Sequence, residues 1–165
     1  MERHAEANRR CRHLRAPNAR RRSLLTPYLD TSVIVALLTG ETSAARIRLW
    51  MTNRTSSTIM ISDWSLTEVS SALSLKQRTG QITAQASDAA RKQFQIFLES
   101  SFEILPVSGQ HFYKAARYCD RHDLGLRAGD ALHLAIAVEA HAELITLDKR
   151  FAAAAQTFGA RYTLL

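Results

Sequence analysis

Four acidic residues stand where short apolar runs give way to helical patterns. They are Asp30 in PYLDTSVIVALL, Glu68 in ISDWSLTEVSSAL, Asp130 in LRAGDALHLAIA and Asp148 in LITLDKRF. If the fold gathers them, they form one carboxylate pocket drawn from four distant stretches of chain. Two carboxylates about 4 Å apart repel by roughly 4 kcal/mol at an effective dielectric near 20. Such a pocket takes up protons or holds a cation. A ligand set made only of oxygen suits a hard ion such as Mg²⁺ or Mn²⁺. Hard divalent ions in acidic pockets often serve phosphoryl chemistry.

Each acid also has a purely structural explanation. Asp30 and Asp148 can cap the helices that follow them. Ser65-Leu-Thr-Glu68 matches a capping box, with Glu68 at the third helical position. Asp130 can complement a helix dipole. Taken singly, capping is the commoner role. The case for a site rests on the set, because four independent caps have no reason to share one sheet edge, and a capping carboxylate keeps a second oxygen. Thr31, Ser32 and Thr146 stand close enough in sequence to hydrogen-bond a carboxylate or a phosphate. Arg127, Lys149 and Arg150 flank the set and could meet a phosphate backbone, although a solvated surface charge is the usual role.

Other chemistries find little support. The six histidines show no HExxH or paired-ligand spacing, and His133, three residues after Asp130, reads as a helix-packing residue. No GxxxxGK[ST], GxGxxG or GxSxG motif occurs, which leaves nucleotide-binding loops and a serine-nucleophile elbow unsupported. An aspartate-nucleophile phosphatase would carry a second Asp two residues after the first, where this chain has Ser32.

The elements that must position the acids alternate between strand and helix. Tyr28–Leu29 leads into Asp30 and a helix ending near Gly40. Thr42–Met51 reads as a second helix and Thr58–Ile61 as a strand. A helix then stops at Gly80, and another spans Ala84–Leu98. Phe102–Leu105 reads as a strand, Ser108–Asp120 and Ala131–Ala140 as helices, and Leu144–Leu147 as a strand. Lys149–Phe158 reads as a helix and Tyr162–Leu165 as a last strand. Buried-type strands separated by helices predict an α/β sandwich with a mainly parallel sheet. Ligands of such sheets gather at the strands' carboxyl ends. Asp30 and Asp148 lie there directly, and Glu68 and Asp130 lie in first turns of helices that could start at the same edge.

The length of 165 residues suits one core, and 46% hydrophobic residues support a globular class. The formal net charge of +7 is unevenly spread: residues 1–22 hold eight Arg and two Glu, leaving 14 Lys+Arg against 13 Asp+Glu in the rest. The sequence pI near 10.0 therefore describes a tail and not the body. Residues 1–25 read as a basic, disordered extension and residues 26–165 as the working domain. The extension has three readings: a solvated tail, a phosphate-binding arm, or a transit peptide, the last weakened by Glu2, Glu6 and a single Ser. Cys11 and Cys119 show no disulfide or metal spacing, which fits a reducing compartment. No apolar run is long enough to span a membrane and no secretory h-region precedes the body, so a cytoplasmic location without membrane contact is expected.

LDTSVIVALL, LTEVSSAL, RAGDALHLAIA and LITLDKRF, in this order and spacing, resemble the four motifs of PIN-domain ribonucleases, most closely VapC-type toxins of bacterial toxin–antitoxin pairs. The resemblance covers about residues 26–165. Singly, LDTS and a strand-end Asp are weak signals; RAGDALHLAIA followed by LITLDKRF is specific. The resemblance implies a three-layer sandwich whose five-stranded parallel sheet is flanked by helices, often as a homodimer. It implies that Asp30, Glu68, Asp130 and Asp148 bind Mg²⁺ or Mn²⁺, with Ser32 at the small hydroxyl position that supports the site. It also implies metal-assisted hydrolysis of an RNA phosphodiester and silencing by a cognate antitoxin. The Arg-rich extension before Leu25 is atypical of the family. Two other functions stay open on the residues alone: a non-catalytic RNA-binding or regulatory module, and a housekeeping RNA-processing nuclease.

Overall fold

The computed structural model describes residues 25–54 and 58–165. The Arg-rich extension, with Cys11, lies outside the described residues. Five strands, β1 (Pro27–Leu29), β2 (Ile59–Ser62), β3 (Phe102–Leu105), β4 (Glu143–Thr146) and β5 (Tyr162–Leu164), form one sheet in the order β3-β2-β1-β4-β5. All four pairings are parallel, so the expected mainly parallel sheet is wholly so among the described residues. Seven α-helices flank it: α1 (Thr31–Thr39), α2 (Ala44–Thr52), α3 (Asp63–Arg78), α4 (Ala84–Ser100), α5 (Gly109–Cys119), α6 (Ala128–Glu139) and α7 (Lys149–Thr157).

Successive side chains of a strand face opposite sides, and this alternation builds two cores. Tyr28 and Leu144 face one side and pack with α6 and α7 residues such as Leu134, Ile136 and Phe151. Leu29 and Ile145 face the other side and pack with Ile34, Ile47, Val69 and Phe94 from α1, α2, α3 and α4. Each fully buried Leu or Ile contributes about 1.5–3 kcal/mol relative to an exposed position, so strands of three or four residues suffice. This is the three-layer sandwich.

The chain fills the sheet outward from β1, first to β2 and β3 and then, after crossing back, to β4 and β5. The order of strands therefore reverses at β1. Open parallel sheets leave a crevice at such a reversal, outside the carboxyl ends of the strands. The residues bordering it follow β1, β2 and β4, which are the segments carrying Asp30, Glu68 and Asp148.

Most boundaries shift from the sequence reading by one to three residues, and two of the shifts bear on the acids. α3 begins at Asp63 with Ser62 as its N-cap, and the backbone N–H of Ser62 donates to Ser65 Oγ at 3.2 Å. The capping box is thus Ser62 with Ser65, and Glu68 sits a turn deeper than a third helical position. The strand runs into the helix without a loop, so the earlier serine takes the cap. α6 begins at Ala128, which makes Asp130 its third residue. The expected stop of α1 holds: Gly40 takes φ 67°, and its N–H bonds to Ala36 O, a left-handed ending that suits glycine.

Candidate active site

The ends of β1 and β4 are tied together around Asp30. Its backbone N–H donates to Ile145 O at 3.0 Å. Its buried side chain makes no capping bond to α1. Instead Oδ2 accepts from Ser32 Oγ at 2.5 Å and from Thr146 Oγ1 at 2.8 Å. The same hydroxyls bind the next turn of chain, where Leu147 N–H donates to Ser32 Oγ and Asp148 N–H to Thr146 Oγ1. Ser32 and Thr146 thus orient Asp30, and Oδ1 lies outside these bonds.

Asp148 does cap its helix. Oδ1 accepts from the backbone N–H groups of Arg150 and Phe151 at 2.7 and 3.0 Å. Its side chain is exposed, and Oδ2 lies outside the cap.

Glu68 projects from α3 toward α1 and α6. Oε2 accepts from Thr31 Oγ1 at 2.7 Å and from His133 Nε2 at 2.7 Å. Burial pushes its carboxyl up, but the hydrogen bond and attraction from His133, with help from Thr31 and Trp64, outweigh burial and hold it below the ordinary carboxylate range. The Trp64 Nε1–H contributes as a nearby dipole, since it is buried without a hydrogen-bond partner of bonding geometry. A Cβ at Gly129 would meet Glu68 Oε1, so a larger residue there would push this carboxylate, the free end of a side chain, out of its place.

Asp130 behaves in the opposite way. Burial, then the charge of Asp30 and more weakly that of Asp148, push its carboxyl up to about 6, against a backbone bond that favours the ion. Three carboxylates from β1, α6 and β4 therefore feel one another. Among the described residues neither Asp130 nor Asp148 has an ion-pair partner. Arg127, Lys149 and Arg150 are exposed at the rim.

The fold thus brings Asp30, Asp130 and Asp148 into one field of negative charge and links Glu68 to Asp30 through His133, whose Nε2 is 3.9 Å from Asp30 Oδ1. The arrangement is open: among the described residues no three His, Cys, Asp or Glu side chains converge tightly enough to enclose an ion. Glu68 is drawn back to His133, and Asp148 to its cap. By donor type and uncompensated charge the set fits a hard divalent cation. A cavity of about 380 Å³ adjoins it, lined by Thr31, Ser32, Val35, Leu147 and Asp148.

Sequence reasoning missed four contributors. His133 was expected only to pack, yet its ring bonds Glu68 and Tyr28. Tyr28, Trp64 and Gly129 carried no local sign of a role. The one available signal was a lone His one turn after Asp130 in an otherwise apolar helix.

Comparison with known proteins gives a consistent fold. A family model described as PIN domain matches residues 28–156. No curated protein sequence matches the chain. Among solved structures, the chain resembles Mycobacterium tuberculosis VapC20, described as a toxin that cleaves the sarcin–ricin loop. The TM-score is 0.61 at 24% identity, over 78% of this chain and 95% of that one. It also resembles VapBC2 from Rickettsia felis bound to a promoter DNA fragment, with TM-score 0.60 and 19% identity over 85% and 98% of the two chains. PAE2754 from Pyrobaculum aerophilum gives TM-score 0.57 at 24% identity over 84% and 83%. At these identities the likeness speaks for the fold.

Proposed function

Because the chain belongs to the PIN-domain family, its model matching residues 28–156, we propose that it is a divalent-metal-dependent endoribonuclease and the toxin of a toxin–antitoxin pair. The observation that carries this reading is positional: Asp30 follows β1, Asp148 follows β4 and Asp130 sits in the first turn of α6, within reach of one another's charge, and among the described residues neither Asp130 nor Asp148 has an ion-pair partner. Uncompensated like charges brought near one another favour a bound cation.

Asp30, Asp130 and Asp148 would hold Mg²⁺ or Mn²⁺, with Glu68 as the fourth acid and Ser32 fixing Asp30. The bound ion supplies charge neutralisation at a phosphodiester and an activated water for in-line attack. The protein's own work is positioning. Ser32 and Thr146 hold Oδ2 of Asp30, so that Oδ1 presents in one direction. The cap holds Asp148 by Oδ1 and leaves Oδ2 for a ligand. Arg127, Lys149 and Arg150 offer phosphate contacts at the rim. No side-chain nucleophile is required. The partners of this reading are an RNA substrate, a cognate antitoxin that covers the acids, and a second copy of the chain in a homodimer, acting in the cytoplasm.

Expression in a bacterial host tests the toxin reading. Wild-type chain should arrest growth, and Asp30→Asn should restore it at equal protein level. Arrest that persists with Asp30→Asn, or no arrest by wild type, would contradict it.

A further inference from the structure

Behind Glu68 runs a chain of buried polar side chains that the acid set itself does not need. The Tyr28 hydroxyl lies 2.7 Å from His133 Nδ1 and donates to Ser62 Oγ at 2.8 Å. Ser62 Oγ lies 3.4 Å from Ser65 Oγ. Tyr28, Ser62, Ser65 and His133 are all 0% exposed. They come from β1, the end of β2, the first turn of α3 and the middle of α6, so the chain of contacts joins two strands and two helices beneath one carboxylate.

Buried polar groups cost stability unless every partner is in place. A core of this size could be filled as well by Phe, Ala and Leu. What the polar version adds is direction. The phenol beside Nδ1 fixes the plane of the imidazole, which stands edge-on to the Tyr28 ring at 5.6 Å. With the ring fixed, Nε2 points at Glu68 Oε2 and reaches 3.9 Å from Asp30 Oδ1. Thr31 Oγ1 donates to the same Oε2 and lies 3.2 Å from His133 Nε2, so the two partners flank it side by side. Both bonds hold Oε2, so Oε1 is the atom left outside the network, against Gly129. Ligand carboxylates and imidazoles held by such outer partners lose about 10–100-fold in metal affinity when the partner is removed.

We infer that His133 is a positioning residue of the acid site, held by Tyr28, and that it sets which oxygen of Glu68 is free to meet a bound cation. This rests on the divalent-ion reading of the acids. His133 touches neither substrate nor the reacting atoms; it acts through Glu68.

The test measures Mn²⁺ binding by calorimetry on the full chain, together with kcat and KM for RNA cleavage. Tyr28→Phe keeps the ring and removes the hydroxyl; His133→Leu removes the donor. Both should weaken Mn²⁺ binding, Tyr28→Phe by about tenfold, and lower kcat while leaving KM for RNA unchanged. His133→Gln, which can return an N–H to Glu68, should recover part of the loss. In a Glu68→Gln background Tyr28→Phe should have no further effect on Mn²⁺ affinity. If Tyr28→Phe and His133→Leu lower only the melting temperature, with Mn²⁺ affinity and kcat as in wild type, the positioning role is wrong. The same holds if the losses multiply with Glu68→Gln. Should His133→Leu not fold, Tyr28→Phe and the Glu68→Gln cycle decide alone. Wild-type Mn²⁺ binding that Asp30→Asn leaves unchanged would overturn the acid site itself, and that outcome is separate from the others.

Discussion

Asp130 and Glu68 are shifted in opposite directions by different neighbours. Glu68 has an imidazole and a hydroxyl on one oxygen and stays ionised. Asp130 has Asp30 and Asp148 as neighbours and holds its proton up to about pH 6, well above the ordinary 3.8. A folded-state pKa raised in this way stabilises the metal-free fold below the ordinary value. That stabilisation is lost as pH rises through about 6. Asp130→Asn should therefore raise the melting temperature in EDTA at pH 7.5, with a gain that shrinks toward pH 5. Because the carboxyl is partly solvated, screening limits the effect to about 1 kcal/mol. Cleavage should show the converse, falling below about pH 6 as protons compete with the cation for Asp130, with less of a fall at saturating Mn²⁺. At this scale the acids and the hydroxyls of Thr31, Ser32 and Thr146 were legible, because they flank strand ends in sequence. His133 was not, since its partners Tyr28 and Glu68 lie 105 and 65 residues away.

The elements matter through where they begin. α1 starts directly after Asp30, α3 directly after Ser62 and α7 directly after Asp148, so Asp30, Asp130 and Asp148 are fixed by strand ends and a first helical turn, and Glu68 by the second turn of α3, and not by long loops. The alternation of strands and helices made this visible in sequence. The cap of α3 was not, because SDWS and SLTE both fit a helix start, and only the length of β2 decides between them. Gly129 shows the same limit: nothing local explains a glycine in the first turn of α6, while Glu68, from α3, does. Gly129→Ala should leave thermal stability level or slightly higher, since alanine favours a helix by about 1 kcal/mol over glycine. Cleavage should nevertheless fall on the order of 10–100-fold as Glu68 is displaced. Melting curves set beside cleavage rates check the pair, and a variant as active as wild type would mean that Glu68 yields without consequence.

For the whole molecule, the reversal of strand order at β1 offers a candidate site to a chain with no cysteine–histidine cluster among its described residues. The two cores on either face of the sheet are ordinary packing, and the candidate acids gather at the sheet edge where the strand order reverses. Among the described residues no helix is long and apolar enough to cross a membrane. If the crevice holds a divalent ion, folding and binding are linked: at a hundred times its dissociation constant the ion should add about 2.7 kcal/mol. Mn²⁺ should then raise the melting temperature of wild type and leave that of Asp30→Asn almost unmoved.

The central claim meets its most direct test in a cleavage assay. Purified full-length protein, freed of any bound antitoxin, is incubated with total RNA in Mg²⁺, in Mn²⁺ and in EDTA, beside Asp30→Asn carried through the same purification. The acid site predicts discrete RNA fragments with either ion, none with EDTA, and none with Asp30→Asn at any ion concentration. Fragments that persist in EDTA, or that Asp30→Asn produces at the wild-type rate, would contradict it.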